Sequence, residues 1–156
     1  MPEIPTLTLT LEVRAEVGAP LEIGQIAGGR RRVVPIIGGT FTGHGEITIE
    51  GRVVPGGADT QLIQPDGFTA AEARYTLETS RGDLIGVVNR GVRHAPPDVM
   101  KRLLAGERVD PALVYFRTAP IFETAAPDLQ VLTRSIFVGA GERFPFEVVL
   151  RFWKID

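Results

Sequence analysis

The chain has 156 residues, 44% of them hydrophobic and 23% charged, which is an ordinary globular composition with enough length for one domain (1–156) and a real core. A formal net charge of -2 leaves no electrostatic footprint for nucleic acid or an anionic membrane surface. With no cysteine and only His44 and His94 as imidazoles, disulfides, thiolate chemistry and multi-histidine metal centres drop out, and no metal is expected.

The N-terminal stretch MPEIPTLTLTLEV alternates, with Leu7, Leu9, Leu11 and Val13 on one face and Thr8, Thr10, Glu12 and Arg14 on the other. That period of two predicts a half-buried strand. The stretch has neither the basic start nor the apolar run of a secretory signal, and no segment approaches a membrane span, so a soluble cytoplasmic protein is expected. GAPLEIG follows as a turn and short extended piece. AGGRRRVVPIIGGTFTG carries a strand between two Gly-Gly breaks, and its Pro35 predicts an edge or a bulge. EITIEGRVVPGG alternates again. TQLIQ and FTAAEARYTLET flank Pro65-Asp66-Gly67, a strong hairpin signal, and the turn Ser80–Asp83 leads into LIGVVNRGV.

PPDVMKRLLAGE breaks the rhythm. Val99, Met100, Leu103 and Leu104 recur at helical spacing, with Pro96 and Pro97 at the start and Gly106 at the end, which predicts one short helix near residues 97–105. ALVYFRTAPIFET, LQVLTRSIFVG and FEVVLRFWKI read as strands, with Gly139-Ala140-Gly141 turning between the last two. The total of about eight to nine strands and one helix predicts an all-β fold. Closure into an antiparallel β-barrel removes the open edges, and a barrel of this size holds side chains or one small ligand. In the last strand the adjacent Phe152 and Trp153 point to opposite faces; an aromatic outside the barrel would suit a homo-oligomer.

No nucleophile elbow, Walker loop or dinucleotide-binding glycine pattern is present. IIGGTFTGHGEI is glycine-rich but leads into a strand, so it reads as a bulged strand pair. The triple arginine Arg30, Arg31, Arg32 reads as a solvated loop, since no basic surface accompanies it. His44, between two glycines, and His94, before the helix, read as loop residues. The charged positions of interest are Asp59, just after Gly56-Gly57, with Glu72, Arg74, Arg117 and Glu123. In AEARYTLET, Glu72, Arg74 and Thr76 share one face and Tyr75 and Leu77 the other; in VYFRT, Tyr115 and Arg117 oppose Val114 and Phe116. Periodicity leaves open whether each polar face meets solvent or a wet cavity.

The stretches GGTFTG, GRVVPGGAD, EARYTLET, VVNRGVRH, YFRTAPIFET and RSIFVGAGER, in that order over nearly the whole chain, resemble the DUF3237 (UPF0311) family. The resemblance implies a lipocalin-like β-barrel with a cavity at one end. It also implies a cofactor-independent cyclase or isomerase chemistry, in which a hydroxyl is added across an alkene. Asp59, Arg74, Tyr115 and Glu123 match the family's pattern and become the expected catalytic set: Asp59 or Glu123 as proton carrier, Arg74 as oxyanion anchor, Tyr115 as donor. Thr60, Gln64, Val131 and Thr133 depart from it, where the family often carries Trp, Arg and Trp-Leu-Asn, so the substrate does not transfer. The alternative is a non-catalytic binding protein for a lipophilic or aromatic small molecule, held by Arg74 and walled by Phe116, Phe122 and Phe137. The partner expected in both cases is that small molecule, with no nucleic acid and no membrane. Asp59 and Arg74 are expected to meet inside the barrel mouth, across the Pro65-Asp66-Gly67 hairpin.

Overall fold

The computed structural model describes residues 1–156. Alternation and turns build nine strands: β1 (Leu7–Val17), β2 (Leu21–Ile26), β3 (Gly29–Gly43), β4 (Glu50–Ile63), β5 (Thr69–Thr79), β6 (Leu84–His94), β7 (Tyr115–Thr124), β8 (Phe137–Arg143) and β9 (Glu147–Ile155). They form one antiparallel sheet in the order β1-β9-β8-β7-β6-β5-β4-β3-β2, and β1 pairs with β3 as well. That last pairing closes eight strands into a barrel and leaves β2 as a flap on the outer edge of β3. The predicted barrel is present. Pro35 lies where β3 changes partner, between Val33, which pairs with β2, and Ile36, which pairs with β1. No helix is long and apolar enough to cross a membrane.

Bulges decide which residues enter the lumen. Between Ile36 and Thr40 the β3–β4 register slips by one residue. An odd slip inverts the alternation, so Arg32, Val34 and Ile36 face inward, and so does Phe41 further on. Gly39, at φ 125°, absorbs the slip, and a side chain there would run into the Arg14 carbonyl. Between Val54 and Ala58, by contrast, β4 gains two residues on β5. An even slip keeps parity, so Asp59 faces inward like Val53. At Thr10 a bulge ends the regular alternation of β1: Leu11 and Val13 are buried, whereas Leu7 is exposed.

Two expectations are corrected. The stretch from Leu129 to Arg134 is no strand. Pro127–Leu129 is a 3-10 turn, and α2 (Val131–Arg134) follows it, because Leu129 and Leu132, three apart, plug one end of the barrel. Gln130 holds the plug through its side-chain amide, which donates to the Thr124 and Ala126 carbonyls. The fold therefore has two helices rather than one; α1 (Pro97–Leu104) is the expected one, and it packs Met100 against the β4–β5 hairpin at Gly67. Gly139 and Gly141 also make no turn. They lie within β8, where a Cβ on Gly139 would strike Thr118 Oγ1 and one on Gly141 would come within 2.6 Å of the Phe116 ring. Gly141→Ala is expected to cost about 1–3 kcal/mol in equilibrium unfolding through overpacking, a loss that a mere turn glycine without positive φ would not show.

The core runs through the lower lumen. Phe122 meets Phe137 and Phe152 edge-on at 5.2 and 5.7 Å, with Leu11, Leu77, Ile85, Leu129 and Leu132 around them. Phe152 points in, and Trp153 lies half-buried on the outer face. With the α2 end filled by hydrocarbon, polar groups collect at the other end.

Candidate functional site in the barrel lumen

That other end is a slot lined by Asp59 and Gln61 of β4, Tyr75 of β5, Asn89 and Arg93 of β6, Phe116 and Thr118 of β7 and Arg143 of β8, between aliphatic walls from β1, β3 and β9. Counting its open mouth it contains about 570 Å³ of empty space, and it narrows inward between the side chains.

A directed hydrogen-bond chain crosses its rim. Arg32 donates through Nη1 to the Leu104 carbonyl at the end of α1 (3.3 Å) and through Nε to Gln61 Oε1 (3.1 Å), and Gln61 Nε2 donates to Asp59 Oδ2 (2.8 Å). The orientation of the amide is forced, since a guanidinium only donates and a carboxylate only accepts. Burial pushes the Asp59 carboxyl above its ordinary range; the Gln61 hydrogen bond and the charges of Arg93, Arg32 and Arg143 pull only part-way back. Arg93 is 4% exposed, and burial lowers its pKa to about 10, which leaves it charged at neutral pH. Burial pushes the Tyr75 phenol well upward, with the Asp59 charge adding to the effect, so it stays a proton donor. Tyr75 Oη, Asn89 Oδ1, Thr118 Oγ1 and two Arg93 nitrogens are buried with no hydrogen-bond partner. Orphaned polar atoms in a lumen cost about 1–3 kcal/mol each, and their concentration here makes this slot the candidate site.

Of the expected set only Asp59 reaches this slot. Asp59 pairs with Ala73, which puts Arg74 opposite Ala58 and on the other face of the sheet. There Arg74 is 64% exposed and forms an ion pair with Glu72 (2.8 Å), which also pairs with Arg90 (2.5 Å). Asp59 and Arg74 therefore do not meet inside the mouth. Glu123 lies outside too, its chain laid over Gly86, lining with Arg74 a shallow external groove. Tyr115 is exposed and stacks on His94 at 4.9 Å, with the Arg117 guanidinium 5.3 Å from its ring. On β5 and β7 the conspicuous charged faces are the solvated ones. The triple arginine corrects the other way: Arg32 is 5% exposed, not in a solvated loop. Arg74→Ala and Glu123→Gln, being surface changes, are each expected to alter unfolding free energy by less than about 1 kcal/mol and to leave lumen binding unchanged.

Gln61, Tyr75, Asn89, Arg93, Thr118 and Arg143 are not singled out by the sequence as site residues, and Arg32 is singled out there only as part of a solvated loop. A signal was present: each shares its strand's parity with residues that read as core, Arg32 with Val34 and Ile36, Arg93 with Val87, Gln61 with Ile63. A polar residue on the apolar parity is the one that enters a barrel.

The chain matches the family described as "Protein of unknown function (DUF3237)" over residues 5–155. It is 41% identical over 150 residues to a UPF0311 protein of Rhodopseudomonas palustris (strain TIE-1), covering 92% of this chain and 96% of that one. Among solved structures it is similar to the R. palustris protein of unknown function RPA1785, with a TM-score of 0.93 and 37% identity over 99% of this chain and 100% of that one. A protein of Penicillium herquei described as an enzyme shares the fold, with a TM-score of 0.71 at 19% identity over 100% and 98% of the two chains. Sequence, barrel topology and length agree: this chain belongs to the DUF3237 (UPF0311) family.

Proposed function

We propose that this barrel is a small-molecule enzyme working by general acid–base catalysis in its lumen, without a cofactor. The observation that carries this reading is Asp59: an inward carboxylate in the slot, hydrogen-bonded to Gln61 and pushed above its ordinary range by burial, which eases its taking and returning a proton. Asp59 removes a proton from one substrate atom and delivers it to another, so the product is an isomer and no oxidant or reductant is needed. In a ring closure the substrate O–H breaks, a C–O bond forms at one alkene carbon, and the proton ends on the other. Arg93 takes the oxyanion role that the sequence suggested for Arg74, and Tyr75, held protonated, takes the donor role suggested for Tyr115. The fold shared with a protein described as an enzyme is compatible with this and carries no residue over.

A second reading is carriage of a lipophilic or aromatic molecule without reaction. One observation favours it: with Glu123 outside, the lumen holds a single carboxylate instead of an acid and base pair. Incubation with aromatic substrates bearing a hydroxyl and an alkene, followed by mass spectrometry and chromatography, decides between them. A product isomer formed by the native protein and not by Asp59→Asn supports catalysis; a bound but unchanged ligand supports carriage.

A further inference from the structure

We infer that the molecule taken up by the lumen carries a carboxylate on an apolar body, received by the arginines at the mouth; this rests on the lumen being the ligand site. Arg93 and Arg143 line the slot from β6 and β8, and Arg32 of β3 reaches its rim through Gln61. Glu22 at the rim pairs with Arg30 at 3.4 Å. Within the slot Asp59 is the one carboxylate facing Arg93 and Arg143, and Arg93 is buried with no ion pair. A buried guanidinium left in this way is costly unless a partner arrives.

Arg93 identifies the partner. Its Nε and Nη2 are the buried atoms without a hydrogen bond. These two N–H groups point the same way from a guanidinium edge and form the fork that grips both oxygens of a carboxylate. The guanidinium carbon stands 5.7 Å from the centre of the Phe116 ring, which fixes the plane of the fork. Beyond it the walls are Ala15, Val34, Ile36, Val148 and Leu150, which accept hydrocarbon only. Asn89 Oδ1, an acceptor without a donor, suits a hydroxyl on that body.

The test is calorimetric titration of the purified protein with 4-hydroxycinnamate, with its primary amide, and with inorganic phosphate. The acid is expected to bind at least about tenfold more tightly than the amide, and phosphate is expected to compete weakly for want of an apolar body. Arg93→Met should abolish the preference, and Arg93→Lys should restore it only in part. Where circular dichroism shows that Arg93→Met does not fold, the half-exposed Arg143→Gln supplies the comparison, with a several-fold loss expected. Equal affinity for acid and amide, or acid binding unchanged in the arginine variants, overturns the inference. Asp59→Asn separates it from the catalytic reading, since that variant retains acid binding while losing turnover. Acid binding with no conversion of any substrate overturns catalysis alone; Asp59-dependent conversion confined to neutral substrates overturns the carboxylate alone.

Discussion

Asp59→Asn is expected to lower turnover by about 10²- to 10⁴-fold, the usual contribution of a positioned acid–base group, while raising the melting temperature at neutral pH. The two effects have one cause. Burial holds the Asp59 carboxyl above its unfolded value, so at neutral pH folding bears the cost of an ionised group in the lumen. The sign follows from the raised value. Asp59's contribution to stability is fully present below the ordinary carboxylate range, near about pH 4, and is lost as pH rises through the folded value. Asparagine never ionises and still presents an oxygen to Gln61 Nε2, so the variant should be more stable than the native protein above that window and show no gain below it. The groups facing Asp59 are Gln61 on its own strand, Arg32, Arg93 and Arg143 from β3, β6 and β8, and Tyr75 from β5. None of these titrates between pH 4 and 8, so the change in the stability difference belongs to Asp59. Thermal melts of both proteins from pH 3 to 8 check it; a difference constant with pH would show that burial does not hold the carboxyl up. A site group that costs stability and supports activity is the common trade-off of enzymes.

The largest loss of stability is expected at the opposite end. Phe152→Ala should cost about 3–5 kcal/mol, which for a chain of this length lowers the melting temperature by roughly 6–20 °C. Phe152 is fully buried in β9, with Phe122 edge-on at 5.7 Å and the side-chain space of Gly139 taken up by its ring. The neighbouring β8 has a glycine there because the ring needs the room, so β8 offers no side chain at that position to fill the cavity left by truncation. Denaturant unfolding measures the loss. The substitution spares the polar slot, so ligand binding in the folded variant should persist. A cost below about 1 kcal/mol would mean that the aromatic cluster does not close the barrel floor.

The strands β5, β6, β7 and β9, the Pro65-Asp66-Gly67 turn and the Pro96-Pro97 helix start are legible, because each is a local preference of backbone and side chain; β1 and β4 are legible as strands, but not their bulges at Thr10 and after Val54. Errors arose where a local pattern had two tertiary uses. Gly139-Ala140-Gly141 has the composition of a turn and is instead the thin part of a strand, making space for Phe116 and Phe152. Leu129-Gln130-Val131-Leu132 has enough apolar residues for a strand and instead caps the barrel as a plug. Asp59 was found because it follows a double glycine. Arg93 and Arg32 carry no such local mark: an arginine is usually solvated, and only an inward parity reveals the exception.

By itself the sequence determines that this chain is strand-rich with no thiol, with residues sorted by parity into two faces on each strand; alternation is a property of the extended backbone and needs no partner. Which face turns inward is decided only by the tertiary structure. The β1–β3 pairing closes the barrel, an odd register slip in β3 and an even one in β4 set the parity at the mouth, and a shift of one residue would exchange every inward group for its outward neighbour. That is why Asp59 and Arg74, fifteen positions apart and on adjacent strands, are separated by the sheet, and why the arginines that face the carboxylate come from β3, β6 and β8 instead.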